Sequence, residues 1–89
     1  MGWTWDPAKS AANLHKHRVS FELAALALDT DPASLSDPDP HPDGDRWTTL
    51  AMIGVTVLFV VHTDAEGLPG RLISARKATA RERQRYEEG

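Results

Sequence analysis

Cysteine is absent from this 89-residue chain, so neither disulfides nor thiolate metal sites can stabilise it, and its core or a bound partner must. Long apolar runs are also missing. The longest, Val57 to Val61, falls far short of the ~20 residues a membrane span needs, and Met1 to Thr4 begins no signal peptide. The reading is a cytoplasmic protein with no membrane partner. No P-loop, glycine-rich dinucleotide turn or Ser-His-Asp spacing is present, so any chemistry must use arginine, lysine, histidine or acids. Lysine and arginine are missing from Asp29 to Asp45, where Asp29, Asp31, Asp37, Asp39, Asp43 and Asp45 stand unopposed. Arg71 to Arg85 is the reverse: Arg71, Arg76, Lys77, Arg81, Arg83 and Arg85 face only Glu82. The net charge of −3 therefore conceals a basic unit inside an acidic chain.

What is present describes one domain, residues 1–89, with 40% hydrophobic and 26% charged residues. Asp6-Pro7 starts a helix, because Asp accepts from early backbone N–H groups and Pro is tolerated at the first position; this helix should run to about His17. Ser20 caps a second helix that should stop near Asp29. Asp31 to Asp45, dense in Asp and Pro, reads as a mobile acidic loop that repels nucleic acid locally or meets a basic partner, with at most Ser34 to Ser36 as a short edge strand. Trp47 to Ile53 and Val55 to Thr63 form a hairpin about Gly54, and the uninterrupted apolar run makes the second strand central. Gly67 to Gly70 should turn into a strand from Arg71 to Ala75. Thr79-Ala80-Arg81-Glu82 fits a capping box opening a last helix to about Glu88. The fold class is α+β: two N-terminal helices, an antiparallel sheet of three to four strands and a C-terminal helix.

Strict alternation along the last strand would place Leu72, Ser74 and Arg76 on one face and Arg71, Ile73 and Ala75 on the other, so that Arg71 and Arg76 point oppositely. On the last helix Arg81 and Arg85 lie together and Tyr86 is three residues from Arg83. Arginine forks suit phosphate oxygens and Tyr can stack on a base, which makes the segment an anion-binding surface. The plainer alternative is that these arginines pair with acids elsewhere in an acidic chain. His15 and His17, two apart, stand about 200° around a helix and form no chelating pair. An EF-hand reading of Asp39 to Asp45 fails because Leu50 stands where the bidentate Glu belongs, so no metal site is expected. His62, at the end of the central strand, suits either acid–base work or an ordinary hydrogen-bonded structural place.

With Trp5-Asp6-Pro7, Lys9, Asn13, Lys16-His17, Val19-Ser20-Phe21-Glu22, Asp31-Pro32, Asp45-Arg46, Gly54, Val60-Val61-His62-Thr63, Arg71-Leu72-Ile73-Ser74-Ala75-Arg76-Lys77-Ala78, Glu82-Arg83 and Tyr86 in view, the chain resembles the BrnT family of type II toxins almost end to end. Arg18 stands where the family usually has Gly, and Asp45 where it usually has Glu. The resemblance implies a RelE-like fold and a cofactor-free ribonuclease that arrests translation, acting on RNA that is free or ribosome-associated. It also implies a BrnA-like ribbon-helix-helix antitoxin, in a 2:2 assembly, that alone contacts promoter DNA. A metal-independent attack by the RNA 2′-hydroxyl then requires a base, an acid and a stabiliser of the phosphorane. Arg76 and Arg83 are assigned to the phosphate, with Arg46, Arg71, Lys77 and His17 binding RNA. His62, Lys16, His17 and Tyr86 are the candidates for moving protons. The alternatives are a non-catalytic binding module, or a degenerate toxin acting only as antitoxin partner and corepressor.

Overall fold

The structure is a computed structural model that describes residues 2–39, 45–63 and 70–89. Helix α1 (Pro7–His17) begins where Asp6 accepts a hydrogen bond from the Ala8 N–H, and ends at Arg18, whose backbone is left-handed (φ 62°, ψ 24°). Helix α2 (Phe21–Thr30) is capped by the Ser20 hydroxyl, which accepts from the Leu23 N–H. Four strands follow, β1 (Leu35–Pro38), β2 (Arg46–Ile53), β3 (Thr56–Thr63) and β4 (Leu72–Lys77), and then α3 (Ala80–Glu88). The strands form an antiparallel meander in the order β1-β2-β3-β4, which is the α+β architecture expected. β3 is interior. Gly54 takes φ 60° at the first turn position between paired Ile53 and Thr56, a conformation that glycine adopts without strain.

Helices α1 and α2 cover one sheet face. Val19, Phe21, Ala24 and Ala27 pack there against Ala51, Leu58, Val60, Leu72 and Ala75. Fully burying Phe21, Leu58 or Leu72 stabilises the fold by roughly 1.5–3 kcal/mol each, and Trp5 closes edge-on against Phe21 at 6.3 Å. The outer edge of β4 is protected rather than open. The Leu72 N–H donates to the Thr4 carbonyl, and buried Asn13 accepts from the Ala75 N–H while donating to the Ala75 and Val19 carbonyls. Gly70 is required beside this edge, because a Cβ there would stand 2.3 Å from the Trp3 ring.

Two expectations are corrected. β1 runs from Leu35 to Pro38, so the acidic segment is strand further than Ser36; Pro38 is tolerated because β1 is an edge. Residues 40–44 of that segment and 64–69 of the last turn lie outside the described residues. In β4 a register shift pairs Val61 with Ser74 but His62 with Leu72, so Ile73 is a bulge. The extra residue sends Leu72 and Ala75 to the same buried face, and Arg71 joins Ser74 and Arg76 on the opposite one. Arg71 and Arg76 therefore share a face instead of opposing each other.

Candidate functional site

The second sheet face carries Leu35 and Asp37 of β1, Arg46, Thr48 and Leu50 of β2, Phe59, Val61 and Thr63 of β3, and Ser74 and Arg76 of β4. Helix α3 is fastened over part of it. The Thr79 hydroxyl accepts from the Glu82 N–H and the Glu82 carboxylate accepts from the Thr79 N–H, completing the capping box. Tyr86 donates its hydroxyl to Asp31 at 2.7 Å, and Arg85 pairs with Asp37. Asp31 also accepts from the Met52 and Ala33 N–H groups. Burial pushes its pKa up, but these three hydrogen bonds outweigh burial and hold it below its ordinary value.

Arg76 is the best-positioned cation of this face. Its guanidinium lies 4.2 Å from the centroid of the Phe59 ring, its neighbour across the ladder, and forks onto Glu82 with bonds of 2.8 and 3.0 Å. Chiefly through the Arg76 hydrogen bond, Glu82 is held down at about 2, and the same bond raises Arg76. The Arg76 Nε–H has no partner among the described residues. Further along the face, Arg46 stands opposite Thr63, and the Arg71 N–H donates to the Thr63 hydroxyl. Arg46 Nε is buried without a hydrogen-bond partner among the described residues, 3.9 Å from Asp45. Phe59 and Thr63 are four residues apart, so the Arg76 and Arg46–Arg71 positions are separated by ~13 Å along β3. Arg83 lies at the hairpin end of the face, bonded to Glu87 and to the Val55 carbonyl.

The other candidates are placed elsewhere. His62 is 7% exposed on the helix-covered face; its Nε2 is 2.7 Å from the Thr49 hydroxyl, its Nδ1 is 3.0 Å from the Thr63 carbonyl oxygen, and the Trp3 ring stands edge-on at 5.0 Å. This place separates His62 from Arg76 by the thickness of the sheet. Lys77, opposite Leu58, also falls on the helix-covered side but is exposed. The hydrogen bond to Asp31, with burial, raises the Tyr86 pKa, the opposite of what a base near neutrality requires. Lys16 and His17 line a cleft between α1 and β4, together with Ser74. Among the described residues no group of three or more His, Cys, Asp or Glu side chains is arranged to hold a metal ion, and no helix is long and apolar enough to cross a membrane.

Sequence reasoning singled out Arg76 but missed what fixes it. Phe59 was read only as an apolar strand residue, and Glu82 only as a helix cap. Asn13, which closes the β4 edge, carried no signal beyond its place in the resemblance.

Comparison with known proteins agrees with this architecture. A family model described as the ribonuclease toxin, BrnT, of type II toxin-antitoxin system matches residues 5–82. A crystal structure of the Brucella abortus ribonuclease toxin, BrnT, superposes with a TM-score of 0.72 at 22% identity, over 89% of this chain and 99% of that one. A search of curated proteins returns no match. The family match covers most of the chain and reaches from Trp5 to Glu82, with Arg76 inside it; the chain belongs to the BrnT family of type II ribonuclease toxins.

Proposed function

We propose that this chain is a metal-independent endoribonuclease toxin, acting through the face that carries Arg46, Arg71 and Arg76. The observation that carries this reading is the clamp on Arg76: a guanidinium immobilised between the Phe59 ring and the Glu82 carboxylate, with its Nε–H uncommitted. A prepositioned cation stabilises charge that accumulates in a transition state without reorganising at the moment of reaction. RNA supplies the 2′-hydroxyl as nucleophile. The P–O2′ bond forms as the bond to the 5′-oxygen breaks, one proton leaves the hydroxyl, and one is delivered to the leaving oxygen. Arg76 faces the phosphorane, Arg46 and Arg71 hold the neighbouring backbone, and Arg83 adds flanking charge, while Lys77 stands on the opposite side of the sheet. Of the four candidates for proton transfer, His62 and Tyr86 are committed to internal partners. His17, with Lys16 beside it, is the group in reach of solvent for this step.

Cleavage arrests translation and growth, and a BrnA-like ribbon-helix-helix antitoxin silences the toxin by covering the same face. In a 2:2 complex, that partner alone would touch DNA. The ion pairs Arg76–Glu82, Arg83–Glu87 and Arg85–Asp37 favour a second reading, in which the arginines serve the fold and the chain only binds its antitoxin. The test is cleavage of RNA, or arrest of a cell-free translation system, by the purified protein with EDTA present. Arg76→Ala should lower the rate on the order of 100-fold or more, in line with loss of one transition-state donor, and Arg83→Ala should lower it less. Full activity in Arg76→Ala would overturn the site assignment, and an inactive wild-type protein that still binds its antitoxin would establish the second reading.

A further inference from the structure

Some cations of this chain meet its own acids and others, among the described residues, do not. Arg76, Arg83 and Arg85 of the basic segment each meet an acid of this same chain. Lys9, Lys16 and His17 on α1 have no acidic partner among the described residues, in a chain with more acids than bases. These three line one cleft of about 240 Å³ between α1 and β4, and no Asp or Glu lines it with them. Its floor is rigid, because the Asn13 carboxamide there is committed three times to the backbone of Ala75 and Val19. Its far wall is Ile73 and Ser74, the bulged pair of β4, and the Ser74 hydroxyl has no hydrogen-bond partner among the described residues.

We infer that this cleft binds the phosphodiester backbone of a single RNA strand that continues from the phosphate at Arg76. The inference rests on the ribonuclease reading and gives that reading a second contact surface. Lys9 and Lys16 are seven residues apart on one helix, a rise of ~10 Å. One inorganic phosphate does not bridge that distance, whereas a nucleic-acid strand carries a charge every ~3.4 Å of helix axis. Ser74 lies two residues from Arg76 on β4 and also lines the cleft, so a strand leaving Arg76 runs over Ser74 toward α1. The bulge at Ile73 is what brings Ser74 to both places. The basic segment of β4 and α3 then acts at the reacting phosphate and its neighbours, and α1 supplies further charge that holds the rest of the strand.

The experiment measures binding of a 2′-O-methyl RNA oligonucleotide, which cannot be cleaved by 2′-hydroxyl attack, at several salt concentrations. The wild-type protein is compared with Lys9→Gln/Lys16→Gln and with the charge-conserving Lys9→Arg/Lys16→Arg. Each phosphate contact to a single strand contributes ~0.7 to the slope of log affinity against log salt. The glutamine pair should therefore reduce the slope by ~1.4 and weaken binding about tenfold at ~0.1 M salt, while the arginine pair should retain both. Both lysines are exposed, so the variants should keep the wild-type melting temperature. An unchanged slope in the glutamine pair, with RNA cleavage intact in the wild type, would overturn the cleft and leave the ribonuclease reading standing. Loss of antitoxin binding with RNA binding unchanged would reassign the cleft to the protein partner. A wild-type protein that neither binds nor cleaves RNA would overturn both.

Discussion

Arg18 holds a left-handed backbone at the end of α1, and glycine is the residue that adopts this conformation without a Cβ penalty. That accounts for the Gly usual at this position in BrnT-like sequences. Arg18→Gly should stabilise the fold by about 0.5–1 kcal/mol, read as a higher urea midpoint at unchanged slope. Asn13 acts in the opposite sense. Asn13→Ala leaves the Ala75 N–H and the Ala75 and Val19 carbonyls buried without it, at a cost of about 2–4 kcal/mol in the same assay. Glu82 makes stability depend on pH. Its folded value of about 2 lies below its ordinary 4.5, so the Arg76 pair contributes fully above pH ~4.5 and is lost as pH falls toward 2. Allowing for the solvent exposure of Arg76, this amounts to about 1–2 kcal/mol, and Glu82→Gln should flatten that part of an acid titration of the melting temperature.

At the scale of elements, what was legible in the sequence was what is decided locally. Asp6-Pro7, Ser20 and the Thr79–Glu82 capping box place three helix starts by hydrogen bonds within one turn, and Gly54 places the hairpin. Contacts across the sheet were not legible in the same way. Nothing in the alternation of β4 announces the bulge at Ile73, because its cause is register against β3. Pro38 reads as a strand breaker until β1 proves to be an edge. Glu82 is both a cap and the clamp on Arg76, and only the turn from β4 into α3 brings the two together. Helix α3 is tied to α2 and β2 through Tyr86 and Asp31, so Tyr86→Phe should cost about 1–2 kcal/mol. If Tyr86 is a tie and not a proton donor, cleavage by that variant should fall only as far as folding does, as a parallel melting curve would record.

On the scale of the whole molecule, the charge asymmetry read along the chain is folded against itself at one corner of the sheet. Asp31 and Asp37, from the acidic segment, meet Tyr86 and Arg85 of the basic helix across the sheet face. The acidic segment, read as repelling nucleic acid or meeting a basic partner, thus supplies Asp31 and Asp37 as partners of the basic helix. What remains is a sheet with two unequal faces: one sealed by α1 and α2 with His62 inside, the other carrying Arg46, Arg71 and Arg76 beside α3. The candidate site was legible at Arg76 because arginine type and segment charge pointed there. The burial of His62 on the helix-covered face was not, since a strand residue shows its face only once the register is known. The measurement that tests the account most directly is the identity of the RNA ends produced by the purified protein in EDTA. Products ending in a 2′,3′-cyclic phosphate and a 5′-hydroxyl, lost in Arg76→Ala, are predicted. Cleavage that requires a divalent cation and leaves 3′-hydroxyl and 5′-phosphate ends would contradict it.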